Sequence, residues 1–328
     1  MREPRFFLQW HITHLCNLRC THCYQEEYNN HMPKEDFYAA LDKFEEFMKN
    51  KPLRGQINLT GGEPLLHPNF FEFASEIRRR GFLLAILTNG TLIDEETAKK
   101  IKALSPVFVQ VSLDGIKESH DKVRGDGNFD KALWGIDNLK KAGVRVLVSF
   151  TAQRDNYKDF ENLARVCRKH KVDKLWWDRV VTYCETDAKE KALSTKEFHS
   201  LVKRAKWLKM LYRFLKYTTE ISNQRALQFA GTRDCGYVCG AGGNLIIFLA
   251  DGSVMPCRRL PFVVGNIKEK SLERIITESD VMQELKNFVA PRECMYCKEF
   301  NRCRGGAKCI TYAQTGNWKN KDVNCFVR

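Results

Sequence analysis

Apolar positions in the first half of the chain alternate between two spacings. Short runs at 6–12, 56–59, 82–87, 107–113, 144–150 and 175–181 read as strands. Between them, apolar residues three and four apart read as helices at 33–49, 70–80, 95–103, 129–141 and 157–169. The first helix shows the pattern well: Pro33 opens it, Glu35 and Asp36 fill the first turn, and Phe37, Leu41, Phe44 and Met48 share a face. Gly81 and Gly143 stop two of the others. Strand–helix units in this order imply an α/β fold, with a parallel sheet and helices outside. Right-handed crossovers would curl that sheet into an open barrel.

The polar breaks in this pattern share one position. A cysteine loop follows the first strand, Thr60-Gly61-Gly62-Glu63-Pro64 the second, Thr88-Asn89-Gly90 the third and Ser112-Leu113-Asp114-Gly115 the fourth. In a parallel barrel those strand ends lie on one face, where ligand chemistry sits. Beyond the sixth strand, Ser194-Thr195-Lys196-Glu197 forms a capping-box pattern. It opens a helix with Leu201, Ala205, Leu208, Tyr212 and Leu215 on one face. From 189 to 216 there are nine Lys/Arg against two Glu, which is half of the chain's net charge of +14. That stretch is either a solvated face or a docking surface for an acidic partner.

The chain has 328 residues, 43% of them hydrophobic, so it can build a core and disorder is excluded. No apolar run approaches the ~20 residues of a membrane span, and the N-terminus has no signal-peptide core. A cytoplasmic protein without membrane contact is expected. Its thirteen cysteines fall into groups. Cys16, Cys20 and Cys23 are one. Cys235, Cys239, Cys257, Cys294, Cys297, Cys303, Cys309 and Cys325 are another. Cys167 and Cys184 stand alone. In a reducing compartment such groups suggest metal rather than disulfides. Thiolates are soft donors that select zinc, copper(I) or iron–sulfur clusters. Three cysteines are one short of a closed tetrahedral set. A 4Fe–4S cluster held by three would keep one iron free, whereas a structural zinc would need His14 or His22 as the fourth ligand.

The C-x3-C-x2-C spacing of Cys16, Cys20 and Cys23, with Tyr24 just after it and Gly61-Gly62-Glu63-Pro64 on the next strand, resembles the radical S-adenosylmethionine (SAM) superfamily over about residues 5–185. The resemblance implies a partial (β/α)6 TIM-like barrel and a 4Fe–4S cluster on those three cysteines. Its free iron would chelate the amino and carboxylate groups of SAM. By the same resemblance the Gly61–Pro64 loop and Glu63 would meet the SAM amine. Ser112 and Asp114 would lie near its ribose or methionine part, and Arg124 would pair with its carboxylate. Thr88 and Asn89 would face the same pocket, with Gln153 a further candidate.

The C-terminal cysteines resemble the SPASM extension of this superfamily. Gly252 to Cys257 matches G-x4-C, Cys294-x2-Cys297-x5-Cys303 the next block, and Cys325 the last ligand. Ala307 stands where the family has a cysteine, and Cys309 lies two residues further on. Two auxiliary clusters are implied, one on Cys235, Cys239, Cys257 and Cys309 and the other on Cys294, Cys297, Cys303 and Cys325. Three 4Fe–4S clusters are therefore expected. A pair of zinc ribbons is the plain alternative. The division implied is a barrel at 1–185, basic linking helices at 186–234 and a small cysteine-rich SPASM domain at 235–328. Cys167 reads as a buried thiol. Cys184, after the sixth strand, is the candidate catalytic hydrogen-atom donor, with loop filler as the alternative. Trp176 and Trp177 point to opposite faces of a strand, and both are expected to pack in the core.

The resemblance implies an enzyme that cleaves SAM reductively to a 5′-deoxyadenosyl radical. Relatives with SPASM extensions often modify ribosomally made peptides, so the leading expectation is a peptide maturase that forms a crosslink or an epimerised residue. Its partners would be a peptide substrate, with an acidic leader suited to the basic helix, and a reductant such as a flavodoxin or ferredoxin. Against this, the first barrel strand starts near Phe6, which leaves no fused N-terminal peptide-recognition domain. The alternative is small-molecule chemistry in the same superfamily, such as oxidative decarboxylation in tetrapyrrole or cofactor synthesis. An RNA-modifying or RNA-binding protein ranks third, because the charge concentrates on one helix with no RNA-binding signature beside it.

Overall fold

A computed structural model describes residues 4–181, 190–229, 237–289 and 291–325. Six parallel strands follow one another in chain order: β1 (Arg5–His11), β2 (Arg54–Thr60), β3 (Leu83–Thr88), β4 (Phe108–Ser112), β5 (Val146–Ala152) and β6 (Lys174–Arg179). The helices between them are α1 (Lys34–Met48), α2 (Phe70–Arg79), α3 (Glu95–Ala103), α4 (Lys117–Arg124), α5 (Asn128–Lys141) and α6 (Phe160–Lys169). Helix α4 carries Arg124 and has no counterpart in the sequence reading. Of its eight residues only His120 and Val123 are buried, so it shows no apolar stripe.

The sheet is wider than six strands. The linking stretch holds α7 (Thr195–Phe214) and then β7 (Glu220–Ser222), a parallel strand on β6. At the other edge β8 (Leu245–Phe248) pairs parallel with β1, followed by the antiparallel β9 (Ser253–Met255) and β10 (Gly265–Asn266). The strand order is β10-β9-β8-β1-β2-β3-β4-β5-β6-β7, an unclosed barrel with β7 and β10 at its ends. The cysteine-rich region thus enters the sheet beside the first strand. Its helices are α8 (Leu272–Glu278), α9 (Asp280–Lys286), α10 (Phe300–Cys303) and α11 (Lys308–Thr315).

The core lies between sheet and helices. Trp10 of β1 stacks on Phe37 of α1, with centroids 4.5 Å apart, and Phe37 stacks on Phe73 of α2 at 3.7 Å. On the other side Phe160, Trp177 and Phe198 tie α6, β6 and α7 together. Alternation along each strand sends the intervening side chains into the lumen. These include Gln9, Asn58, Gln110, Ser149 and Trp176. Trp176 does not join the core: its indole N–H donates to Gln110 Oε1 at 3.0 Å, across β5. Trp177 is fully buried and donates to Asn223.

Helix α7 has the expected capping box, with Ser194 and Glu197 satisfying each other's backbone N–H. Its buried face is Phe198, Leu201, Val202, Ala205, Leu208 and Tyr212. Leu215 departs from the expected face: the helix ends at Phe214, and Leu215 is exposed. Cys167 is fully buried on α6, and burial pushes its thiol pKa up. Among the described residues no helix is long and apolar enough to cross a membrane.

Candidate active site

The loop after β1 brings Cys16, Cys20 and Cys23 together, each within the electrostatic field of the others. All three are free thiols. Burial pushes the Cys16 pKa up to about 11, although Leu18 N–H donates to its sulfur. Among the described residues no three His, Cys, Asp or Glu groups close on a single metal-ion position. His22 turns from the thiols toward Asp114, its Nε2 3.6 Å away, and burial lowers its pKa to about 4.

The glycines of the second loop are required by the first. A Cβ on Gly61 would lie 2.3 Å from Thr13 O, and one on Gly62 2.3 Å from Leu15 O. The two loops share backbone bonds: Gly62 N–H donates to Thr13 O and Glu63 N–H to Leu15 O. Pro64 then opens a short 3-10 turn, Pro64–Leu66. These residues lock the cysteine loop to β2.

Glu63 is the centre of the next network. It is fully buried and accepts from Thr88 Oγ1 at 2.7 Å, from Asn89 N–H at 2.8 Å and from Leu65 N–H at 3.4 Å. Burial outweighs those bonds and raises its pKa to about 7. Asn89 also donates to Asn17 in the cysteine loop, and Asn17 donates to Thr91. The loops after β1, β2 and β3 are therefore one hydrogen-bonded unit.

Asp114 organises the other side. It is fully buried and accepts from Arg124 Nε at 2.7 Å and from Thr151 N–H at 2.8 Å. Burial pushes its pKa up, but Arg124 and then His22 overcome this and hold it below the usual range. Arg124, expected on the SAM carboxylate, is committed to Asp114 and points Nη1 at Cys20 Sγ, 3.7 Å away. Ser112 faces Ser149, with their oxygens 3.5 Å apart. The Nε2 of Gln153 is buried with no hydrogen-bond partner.

The later cysteines separate into two sets. Cys239, Cys257 and Cys309 lie within one another's field, while Cys294, Cys297, Cys303 and Cys325 form the other set. The second set lines a cavity of about 180 Å³ together with Leu227, Phe229 and Asp322. Four soft donors around a cavity suit an iron–sulfur cluster. Ala307 is the N-cap of α11, and its N–H donates to Asp322 Oδ2. That puts Cys309 in the first turn of the helix, beside Cys239 and Cys257. Cys235 and Cys184 lie outside the described residues.

The sequence reading missed the wall between the cysteine groups. Tyr24 follows Cys23, and the guanidinium of Arg258, next to Cys257, sits 4.6 Å from its ring centroid. Arg259 donates to Asp178 Oδ2 at 2.5 Å and to Arg179 O at 2.6 Å, which bridges β9 to β6. Arg225 lies over Trp176, also at 4.6 Å. The Arg258-Arg259 pair directly after a cysteine was the signal available in the sequence.

Two family models match this chain: the radical SAM superfamily at residues 10–167, and an iron–sulfur cluster-binding domain named SPASM at 239–303. The chain is 30% identical to the Fe-coproporphyrin III synthase of Methanosarcina barkeri, with 99% of this chain and 89% of that protein covered. It is 26% identical to the mycofactocin maturase MftC of Mycolicibacterium smegmatis, covering 91% and 77%. Its fold is like that of anSMEcpe, solved with AdoMet and a Cp18Cys peptide: TM-score 0.81, 22% identity, covering 98% and 94%.

Proposed function

From the premise that this chain belongs to the radical SAM superfamily and carries a SPASM region, we propose that it acts on an iron tetrapyrrole and oxidatively decarboxylates a propionate side chain. The superfamily's cofactors are SAM and 4Fe–4S clusters, and neighbouring structures bind AdoMet. When bound, they supply a 5′-deoxyadenosyl radical that takes one hydrogen atom and an acceptor for the one surplus electron. Loss of a hydrogen atom, CO2 and an electron turns a propionate into a vinyl group.

The chain's own residues would divide the work. Cys16, Cys20 and Cys23 would hold the first cluster, and Glu63 would receive the SAM amine. Thr88 and Asn89 would orient Glu63, and Gln153 would bond the remainder of SAM. The two later cysteine sets would hold auxiliary clusters. The observation that carries the substrate reading is the likeness, over 99% of this chain, to an AdoMet-dependent heme synthase of Methanosarcina barkeri, at 26% identity. The Fe-coproporphyrin III synthase, similar over the same 99%, is named for the tetrapyrrole from which that step would start.

The direct test is reduced, cluster-loaded protein with SAM and iron-coproporphyrin III. The expected products are 5′-deoxyadenosine, vinyl groups on the tetrapyrrole and CO2, in equal amounts. SAM cleavage with the tetrapyrrole unchanged would sink the substrate reading. Iron and sulfide should each be about twelve per chain, as for three 4Fe–4S clusters. A value near four would remove the auxiliary clusters, and bound zinc would restore the zinc-ribbon reading.

Placing the SAM amine on Glu63 has a proton consequence. The free carboxyl titrates near 7, against 4.5 for an unperturbed glutamate. The N–H groups of an iron-bound amine stabilise the carboxylate and pull its pKa back down. At about pH 6, SAM binding should therefore release more protons from the wild type than from Glu63→Gln, which keeps only the proton that the amine itself gives up on binding iron. Calorimetry in buffers of different ionisation enthalpy measures this, and proton uptake by the wild type would contradict the placement.

A second reading, peptide modification, is favoured by the mycofactocin maturase likeness. A short open reading frame encoded beside this chain would support it.

A further inference from the structure

The mouth of the lumen holds two positive charges that have no ion pair among the described residues. The other buried or half-buried arginines there are spoken for: Arg124 on Asp114, Arg179 on Asp322 and Arg259 on Asp178. Among the described residues no carboxylate lies within ion-pair distance of Arg225 or Arg258. Arg258 makes one long bond, 3.4 Å, to the Tyr24 carbonyl. Both side chains are half-buried. Each guanidinium carbon lies 4.6 Å from an aromatic ring centroid, Trp176 for Arg225 and Tyr24 for Arg258. A guanidinium over a ring face keeps edge donors for a carboxylate.

Their placement is informative. Trp176 faces the lumen and is pinned by Gln110, so Arg225 stands over the cavity from the β7 end of the sheet. Arg258 stands over it from the β9 end, beside the cysteine loop, with His11 at the top of β1 within its field. The Arg259–Asp178 pair crosses the seam between them. The lumen below carries the uncharged polar groups of Gln9, Asn58 and Gln110, with Gln9 bonded to His11. Asp178, two residues from Trp176 on β6, is bonded by Arg259 and lies in the field of Arg225. A polar cavity rimmed by two guanidiniums that have no ion pair among the described residues suits a substrate with two separated carboxylates.

Resting on the tetrapyrrole reading above, we propose that Arg225 and Arg258 bind two carboxylate side chains of the macrocycle from the two sides of the seam, and so fix which side chain faces the reacting centre. The test is equilibrium titration of cluster-loaded protein with iron-coproporphyrin III and with its tetramethyl ester. The acid should bind the wild type. Arg225→Gln and Arg258→Gln should each weaken it about ten- to a hundredfold, as for the loss of a charged hydrogen bond. Binding of the ester should not change. Where a Gln variant loses the wild-type melting temperature, the Lys variant replaces it. Lys keeps the charge but not the planar fork, so a smaller loss is expected. If the acid binds every variant as it binds the wild type, the arginine assignment is overturned and the tetrapyrrole reading stands. The same holds if the variants lose iron but not affinity, for then the arginines serve only to balance cluster charge. If the wild type binds no porphyrin, both fall.

Discussion

Protein with alanine at Cys16, Cys20 and Cys23 is expected to release no 5′-deoxyadenosine from SAM under reducing conditions, a loss of at least about a thousandfold. Removing even the outer partners of a metal ligand costs about 10- to 100-fold, and here every ligand of the first cluster goes. The fold should survive, because Cys16 and Cys20 are half-buried and Cys23 is exposed. The Gly62 and Glu63 backbone bonds that seat the loop involve none of the three sulfurs. Alanine at Cys294, Cys297, Cys303 and Cys325 should abolish substrate conversion yet leave SAM cleavage in place. The measurement is chromatography of 5′-deoxyadenosine, with iron counted on the same sample. Loss of SAM cleavage in a folded auxiliary variant would overturn this division of labour.

Arg179→Ala should destabilise the protein by about 3–5 kcal/mol, the cost of leaving a buried charge without its partner. Arg179 is 3% exposed. It donates to Asp322 Oδ1 at 2.8 Å, to Asp322 Oδ2 at 2.9 Å and to Asn324 Oδ1 at 2.7 Å. Asp322 in turn accepts from the N–H groups of Ala307 and Asn324. Its carbonyl accepts from Cys325 N–H. One ion pair therefore binds β6 to the segments that carry Cys303, Cys309 and Cys325. Urea denaturation of the variant should show the loss, and its auxiliary iron should fall with it. Replacing both partners with apolar residues should cost much less, because no charge is then stranded. A loss below about 1 kcal/mol in Arg179→Ala would show the pair to be solvated.

The barrel was legible because its signals are local. Strand runs and helix periods alternate, and apolar faces such as Phe37, Leu41 and Phe44 go where they point. The cysteine loop and Gly61-Gly62-Glu63-Pro64 were legible because short-range chemistry demands them: soft donors at close spacing, and glycines where two backbones touch. Helix α4 was not legible, since two buried residues leave no periodic stripe. Strand β7, three residues long, is below the length at which alternation can be counted. Trp176 was placed in the core because apolar bulk suggests burial, but its strand parity puts it in the lumen, where Gln110 takes its N–H.

The partition of the later cysteines shows where the boundary lies. Spacing named eight thiols, and the SPASM resemblance divided them into two sets of four. The fold brings Cys257, two residues after β9, beside Cys309 on α11, and Cys325 beside Cys294, although those partners are tens of residues apart in the chain. No spacing or motif links Arg225, Arg258, Arg259 and Asp178, which the fold gathers because β7 and β9 lie toward the two ends of one unclosed barrel. The sequence by itself determined the barrel, the cluster loop and the chemistry of its ligands, since each depends on residues near one another in the chain. The tertiary structure alone decided which distant arginines gather at the mouth of the lumen and which of them have no ion pair among the described residues, because those depend on chain crossings that no local pattern records.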